Sequence, residues 1–384
     1  MPDSLSSGAD DERDTRSTSR PGSRRRSPSH GDTRPHSAKS PSTGNGETKT
    51  KPAVYAAVDL GTNNCRLLVA KATPHGRRNI RVIDSYSEVV KLGHNLTSTG
   101  RLADASMDAS VEALKVCAEK IHRRGVSSWR CVATQACRQA DNGEEFIARV
   151  KREVGLSLEI ISPRIEARLS VMGCLNLVDT RKHVALVVDI GGGSTELSWV
   201  DIRRLKTDIP QTNRPPISAW ASIPVGVATL SEMYPEHNDR TQWYADMKAK
   251  VRECLLEQRC DTRFTNVFKA GKGHIIGTSG TITSLAGVHL KLPYYQRKHI
   301  DGLWMPTQSA VDIARELASK SISDRAKVPS IGEDRASLLV AGCAIMDVLC
   351  ELWPAERIRV ADRGLREGIL MGLMHAPKGQ GRRR

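Results

Sequence analysis

Two short segments carry the residue types that phosphate chemistry needs. Asp59-Leu60-Gly61-Thr62-Asn63-Asn64 and Asp189-Ile190-Gly191-Gly192-Gly193-Ser194-Thr195 each place an aspartate at the end of an apolar run and follow it with a glycine turn. Such a turn presents consecutive backbone N–H groups, an anion nest. In the first, Thr62, Asn63 and Asn64 add short polar donors; in the second, three glycines let a phosphate approach the main chain. Neither is a Walker loop, since no GxxxxGK[ST] occurs, and neither is a dinucleotide fingerprint, since each turn runs into a strand. A lone glycine turn between strands is usually only a hairpin, and a lone Asp beside it only a turn former. Two at matching positions are harder to explain that way.

The matching is one of register. A shift of 130 positions lays Val58-Asp59-Leu60-Gly61 on Val188-Asp189-Ile190-Gly191, Leu67 on Leu197, and Arg66 on Glu196. Asp189 and Glu196, flanking the triglycine turn, are the oxygen donors that could hold Mg²⁺ directly or through water. Arg66 offers a planar fork for phosphate, and Arg138, after a strand-end turn, is a second candidate. Alone, either arginine is more often a surface residue. Glu166 and Arg168 follow a strand-to-helix turn near the junction of the two halves. By position alone Glu166 is a helix-start acid favoured by the dipole.

The elements that must hold these residues follow from periodicity. Val54–Leu60 and Cys65–Ala70 read as a hairpin, as do Val184–Ile190 and Thr195–Val200. Val111, Leu114, Ala118 and Ile121 mark an amphipathic helix over about 103–123, and Trp129–Thr134 a short strand. Ile275–Thr281 is a strand-to-turn segment matching Cys131–Thr134 within its half. Leu338, Ile345, Val348 and Leu352 mark a helix ended by Pro354, and Arg363-Gly364 opens a last one. The period is too long for a solenoid and indicates a duplicated α/β domain.

Charge and composition narrow the class. The 384 residues carry a formal +15. Residues 1–52 contribute +3, the tail from Lys378 contributes +4, and the body keeps about +8, which favours an anionic partner. Aromatics are only 4% and no nucleic-acid motif appears, so no specific nucleic acid is expected. No apolar run approaches the ~20 residues of a membrane span. Nine cysteines stand as singlets with no CxxC. That excludes the usual structural zinc spacing and, without an export signal, fits reduced thiols in a cytoplasm. Residues 1–52, rich in Ser, Arg and Pro, read as a disordered basic arm, and residues 377–384 as a basic tail.

Jointly, several motifs resemble the exopolyphosphatase/guanosine pentaphosphate phosphohydrolase (Ppx/GppA) family. They are Ala57–Asn63, Ala133–Ala140, Glu159–Ser162 with Glu166-Ala167-Arg168, Val188–Leu197, Gly277–Thr281 and Gly364–Gly368. The likeness spans about residues 53–375. It implies a duplicated actin-like (sugar kinase/Hsp70-type) fold with an interdomain cleft, one lobe from 53–171 plus 356–376 and the other from 172–355. It implies that Glu166 orients or deprotonates the attacking water, and that Asp189 and Glu196 are tied to Mg²⁺. Asp59 and the loops would bind phosphate, with Gly277, Ser279 and Gly280 joining them. Two positions depart from the family pattern: Ile165 stands where an acidic residue is common, and Ser162-Pro163 where Ser-Gly is common. The expected activity is an exopolyphosphatase acting on inorganic polyphosphate. The alternatives are a guanosine pentaphosphate 5′-phosphatase, a kinase or ATPase of the same fold, which Glu166 as a water base disfavours, and a catalytically silent polyphosphate or nucleotide sensor. The likeness is compatible with a homodimer.

Overall fold

The computed structural model describes residues 53–72, 80–205, 214–260 and 262–375. The expected N-terminal arm and basic tail lie outside them. The architecture is two mixed sheets, each flanked by helices, and the second repeats the first. In the first sheet the order is β3 (Ile80–Val89), β2 (Asn64–Ala72), β1 (Val54–Leu60), β4 (Ser128–Ala133) and β5 (Leu158–Ile160). In the second, β8 (Ile217–Ile223), β7 (Thr195–Asp201), β6 (Val184–Ile190), β9 (Gly273–Thr278) and β11 (Arg357–Ala361) run in the same sequence, with β10 (Trp304–Pro306) added antiparallel at the edge. In both halves a hairpin is followed by a parallel crossover onto its first strand. β1 and β6 are central and covered on both faces, which is why they read as unbroken apolar runs.

The register bears out the internal repeat. Asp59 pairs with Arg66 across one hairpin, and Asp189 with Glu196 across the other. Each turn is closed by the same bond, from the Gly61 N–H to the Asn64 carbonyl and from the Gly191 N–H to the Ser194 carbonyl, both 2.9 Å.

The expected lobe boundary is corrected at one point. Arg357–Ala361, assigned to the first lobe, forms β11 beside β9 in the second sheet. The chain returns to the first lobe only with the helix Leu365–His375, whose Ile369 and Leu370 pack on Ala57, Leu68 and Val132. That helix crosses the helix Pro163–Cys174 without room for side chains. A Cβ at Gly173 would lie 2.1 Å from the Gly364 carbonyl oxygen, and one at Gly368 would lie 2.0 Å from that of Leu169. The Pro163–Cys174 helix belongs to both lobes, with Leu169 and Met172 in the core of the first and Val171 and Cys174 in that of the second.

All nine cysteines are buried and unpaired as disulfides. Among the described residues no helix is long and apolar enough to cross a membrane.

A buried histidine gives the fold a defined acid sensitivity. His274 on β9 accepts the Asp179 N–H at Nε2 (3.2 Å), while its buried Nδ1 has no partner. Burial, only partly offset by the Asp179 charge, holds its pKa down at about 4, against about 6.5 in an unfolded chain. Between those values the unfolded chain binds a proton that the folded chain does not. Stability therefore falls as pH drops through this window and does not depend on this residue above it. The full effect is on the order of 3 kcal/mol. The difference in urea midpoints between the native protein and His274→Leu, followed from pH 7 to pH 4, should show it apart from the other groups that titrate in this window.

Candidate active site

The two nests face each other across a cleft of about 750 Å³ between the lobes. Asp59, Gly61, Thr62, Asn63, Asn64 and Arg66 line it from the first lobe, and Asp189, Gly191, Gly192, Glu196, Ser279 and Gly280 from the second, with Glu166 at the junction. The loops nearly touch: a Cβ at Gly192 would meet Thr62 Cβ at 3.0 Å and the Asn63 nitrogen at 3.2 Å. The first loop is held from behind, its Thr62 and Asn63 carbonyls accepting from the amides of Gly93, Val90 and Lys91. Among the described residues, its own Thr62 and Asn63 amides, and that of Gly192 opposite, donate to no acceptor. Unpaired amides converging from two lobes suit a bound anion.

Several expected phosphate ligands are placed elsewhere. Ser194 donates to Glu196 Oε1 (2.7 Å) and Thr195 to the Val225 carbonyl (2.8 Å), so both hydroxyls are spent inside the second lobe. Gly193 packs against Gln135 and Thr62, and Gly277 lies within β9 against Ile282; neither lines the cleft. Arg138 grips the Ile161 carbonyl and Glu166 Oε2 (3.3 Å), positioning the acid instead of reaching the cleft.

Glu166 sits in the first turn of the Pro163–Cys174 helix. Ser162 caps that helix by accepting the Ile165 N–H, and Pro163 occupies the first turn, where no amide is needed. The Ser-Pro departure is thus a firm helix start. Ile165 packs with the apolar residues under the first lobe, a contact that an acid at this position would not make. The helix dipole favours a charged Glu166, but burial, with Glu196 next, raises its pKa well above the carboxylate range. Burial and Asp189 likewise lift Glu196 to about 7 despite the Ser194 and Ser222 hydroxyls. Burial lifts Asp59 against the pull of Arg66 and Arg366.

Four cations were not assigned from the sequence. Arg297, Arg335, Arg363 and Arg366 all line the cleft, and only the last two lay in or beside a recognised motif. Arg297 is paired with Asp362 and Glu367, and Arg363 with Asp301. Arg66 and Arg366 make no hydrogen bond or ion pair among the described residues. Burial, with Arg366 next, holds Arg66 below the ordinary guanidinium range. An incoming anion would relieve that crowding.

The donor set fits a hard cation held by few protein ligands. Ser170 and Ser279 donate to the two oxygens of Asp189, and Ser194 and Ser222 both to Glu196 Oε1, while Oε2 takes no donor among the described residues. Each carboxylate oxygen keeps further lone-pair sites. Among the described residues no three His, Cys, Asp or Glu side chains cluster to hold an ion. One or two carboxylates completed by water and substrate phosphates is the arrangement Mg²⁺ prefers.

Two repeated lobes closing on an anion cleft define an actin-like protein built for phosphoryl chemistry. The model of the Ppx/GppA phosphatase family matches residues 68–376, and the chain belongs to that family. Among solved structures, the Aquifex aeolicus Ppx/GppA member is 26% identical, aligned over 84% of this chain and 97% of that one, with a TM-score of 0.67. An exopolyphosphatase-like protein is also 26% identical over 83% and 98%, with a TM-score of 0.71. An exopolyphosphatase from Cytophaga hutchinsonii, 22% identical over 84% and 97%, shares the fold with a TM-score of 0.72.

Proposed function

We propose that the protein is an exopolyphosphatase that releases orthophosphate from the end of inorganic polyphosphate. The observation that carries this reading is the convergence of loop amides and of Arg66 and Arg366, unpaired among the described residues, facing a partly buried glutamate at the lobe junction. Phosphoryl transfer asks mainly for such positioning and charge stabilisation. Water held by Glu166 attacks the terminal phosphorus in line. Its oxygen bonds to that phosphorus, the bond to the bridging oxygen breaks, and the shortened chain leaves with that oxygen as its new terminus. The proton released by the water passes to Glu166 and then to solvent. Mg²⁺, held by Asp189 and Glu196, would neutralise charge on the phosphates.

Phosphate release with Mg²⁺ from polyphosphate, guanosine pentaphosphate and ATP, compared side by side, tests the reading. Release mainly from polyphosphate is expected; release from none would sink it. The second reading, a guanosine pentaphosphate 5′-phosphatase, is favoured by Tyr295. This ring lines the cleft, is 40% exposed, and lies 6.0 Å from the Arg335 guanidinium, a surface on which a base could stack. Tyr295→Ala should leave polyphosphate turnover intact; loss confined to the guanosine substrate would promote the alternative. Arg335→Ala should raise KM for polyphosphate about 10-fold or more, the value of one lost charge-assisted contact. The effect should shrink at high salt, which a KM series from 50 mM to 500 mM KCl would check.

A further inference from the structure

A second cavity, of about 280 Å³, lies behind the catalytic wall. It is lined by Gln135, Arg138, Ser194, Ser222, Pro224 and Gln258, with Pro163 and Gln139 at its edge, and shares no lining residue with the main cleft. Yet the two are only one side chain apart. Glu166 faces the cleft and its partner Arg138 faces the cavity. Glu196 faces the cleft, and the two hydroxyls that hold it, Ser194 (2.7 Å) and Ser222 (3.0 Å), face the cavity. At this partition hydrogen-bonded side chains, which can change rotamer, separate the two spaces.

The inner surface is chemically suited to a small oxyanion. Arg138 brings a guanidinium, Ser194 and Ser222 bring hydroxyls that would turn from Glu196 to donate inward, and Gln135 would offer its amide N–H group once its buried, unpartnered Oε1 rotates away. The volume is that of several waters at ~30 Å³ each, enough for orthophosphate and too small for a polyphosphate chain. The rim, formed by Gln139, Pro224 and Gln258, is exposed to solvent.

We propose that this cavity is an exit site for orthophosphate. It would let the cleaved phosphate leave past Arg138 while the shortened chain stays on the loops of the main cleft. This rests on the exopolyphosphatase reading. It would spare the cleaved phosphate from leaving past the substrate chain that still occupies the cleft. Retention of the chain between cuts then follows from the geometry of the exit.

Every native cysteine is buried, so a thiol placed on the rim can be modified selectively. Gln139→Cys, at an exposed position touching neither carboxylate, is labelled with a bulky reagent through a cleavable disulfide. Rapid-quench cleavage of end-labelled polyphosphate is then compared with the appearance of free phosphate, reported by a fluorescent phosphate-binding protein. With the label on, the first cut is expected at its unlabelled rate, while free phosphate appears at least 10-fold later, and reduction restores it. Free phosphate keeping pace with cleavage in the labelled protein overturns the exit, as does an equal slowing of the first cut. Absence of cleavage in the unmodified protein is a different failure, that of the exopolyphosphatase reading itself.

Discussion

Replacing Glu166 with Gln lowers kcat on polyphosphate by about 10²–10⁴-fold, the usual contribution of a general base, and leaves the affinity for the chain nearly unchanged. The substitution keeps the volume of the side chain and an oxygen for Arg138, so the helix start at Ser162 and the Arg138 contact to the Ile161 carbonyl stay in place. It removes the group that receives the water's proton. Binding depends instead on the loop amides and on Arg66 and Arg366, which Glu166 does not touch. Calorimetric titration with polyphosphate beside a turnover assay separates the two quantities. Full activity in this variant would remove Glu166 from the mechanism, and lost binding with an intact fold would make it a binding residue.

The second large effect is on the crossing of the two junction helices. Gly368→Ala should destabilise the protein by about 3 kcal/mol or more, at the upper end of the overpacking range, because its Cβ would meet the Leu169 carbonyl, a backbone atom that cannot rotate away. Gly372→Ala, four residues on in the same helix, meets nothing within 4 Å. It should instead gain roughly 0.5–1 kcal/mol from helix propensity. Chemical denaturation of the pair gives opposite signs if the crossing is the cause, and the same sign if it is not. Gly368→Ala should also cut turnover at temperatures where it remains folded, since Leu169 is on the helix that carries Glu166.

Much of this was legible in the chain. The repeat could be read because Asp59 and Asp189 end buried strands with the same turn after them, and their cross-strand partners, Arg66 and Glu196, keep the same offset. Glu166 could be placed at the junction because a capping serine and a proline announce its helix. What the motifs blurred was direction. Along β7 successive side chains alternate, so once Glu196 faces the cleft Thr195 must face away. The same alternation was available for Gly277, one residue before Thr278, which lines the cleft from the end of β9. Arg335 was beyond reach, since its four-residue helix, Glu333–Ala336, carries no periodicity and enters the cleft only through tertiary packing. Arg366 stood inside a quoted motif, where the glycines drew notice first. β11 was assigned to the wrong lobe because five residues, Arg357–Ala361, identify a strand without saying which sheet it joins.

The helix shared by the two cores also bears on which phosphates are spared. Its first turn carries Glu166, the acid proposed to hold the water, and its faces are fixed in different lobes, so the acid's position would follow the angle between them. On the proposed mechanism, a ligand that engages both loops would set that angle and a monophosphate held by one loop would not. Small phosphate esters would then occupy the cleft without being cut, a selectivity by reach that needs no pocket shaped to exclude them.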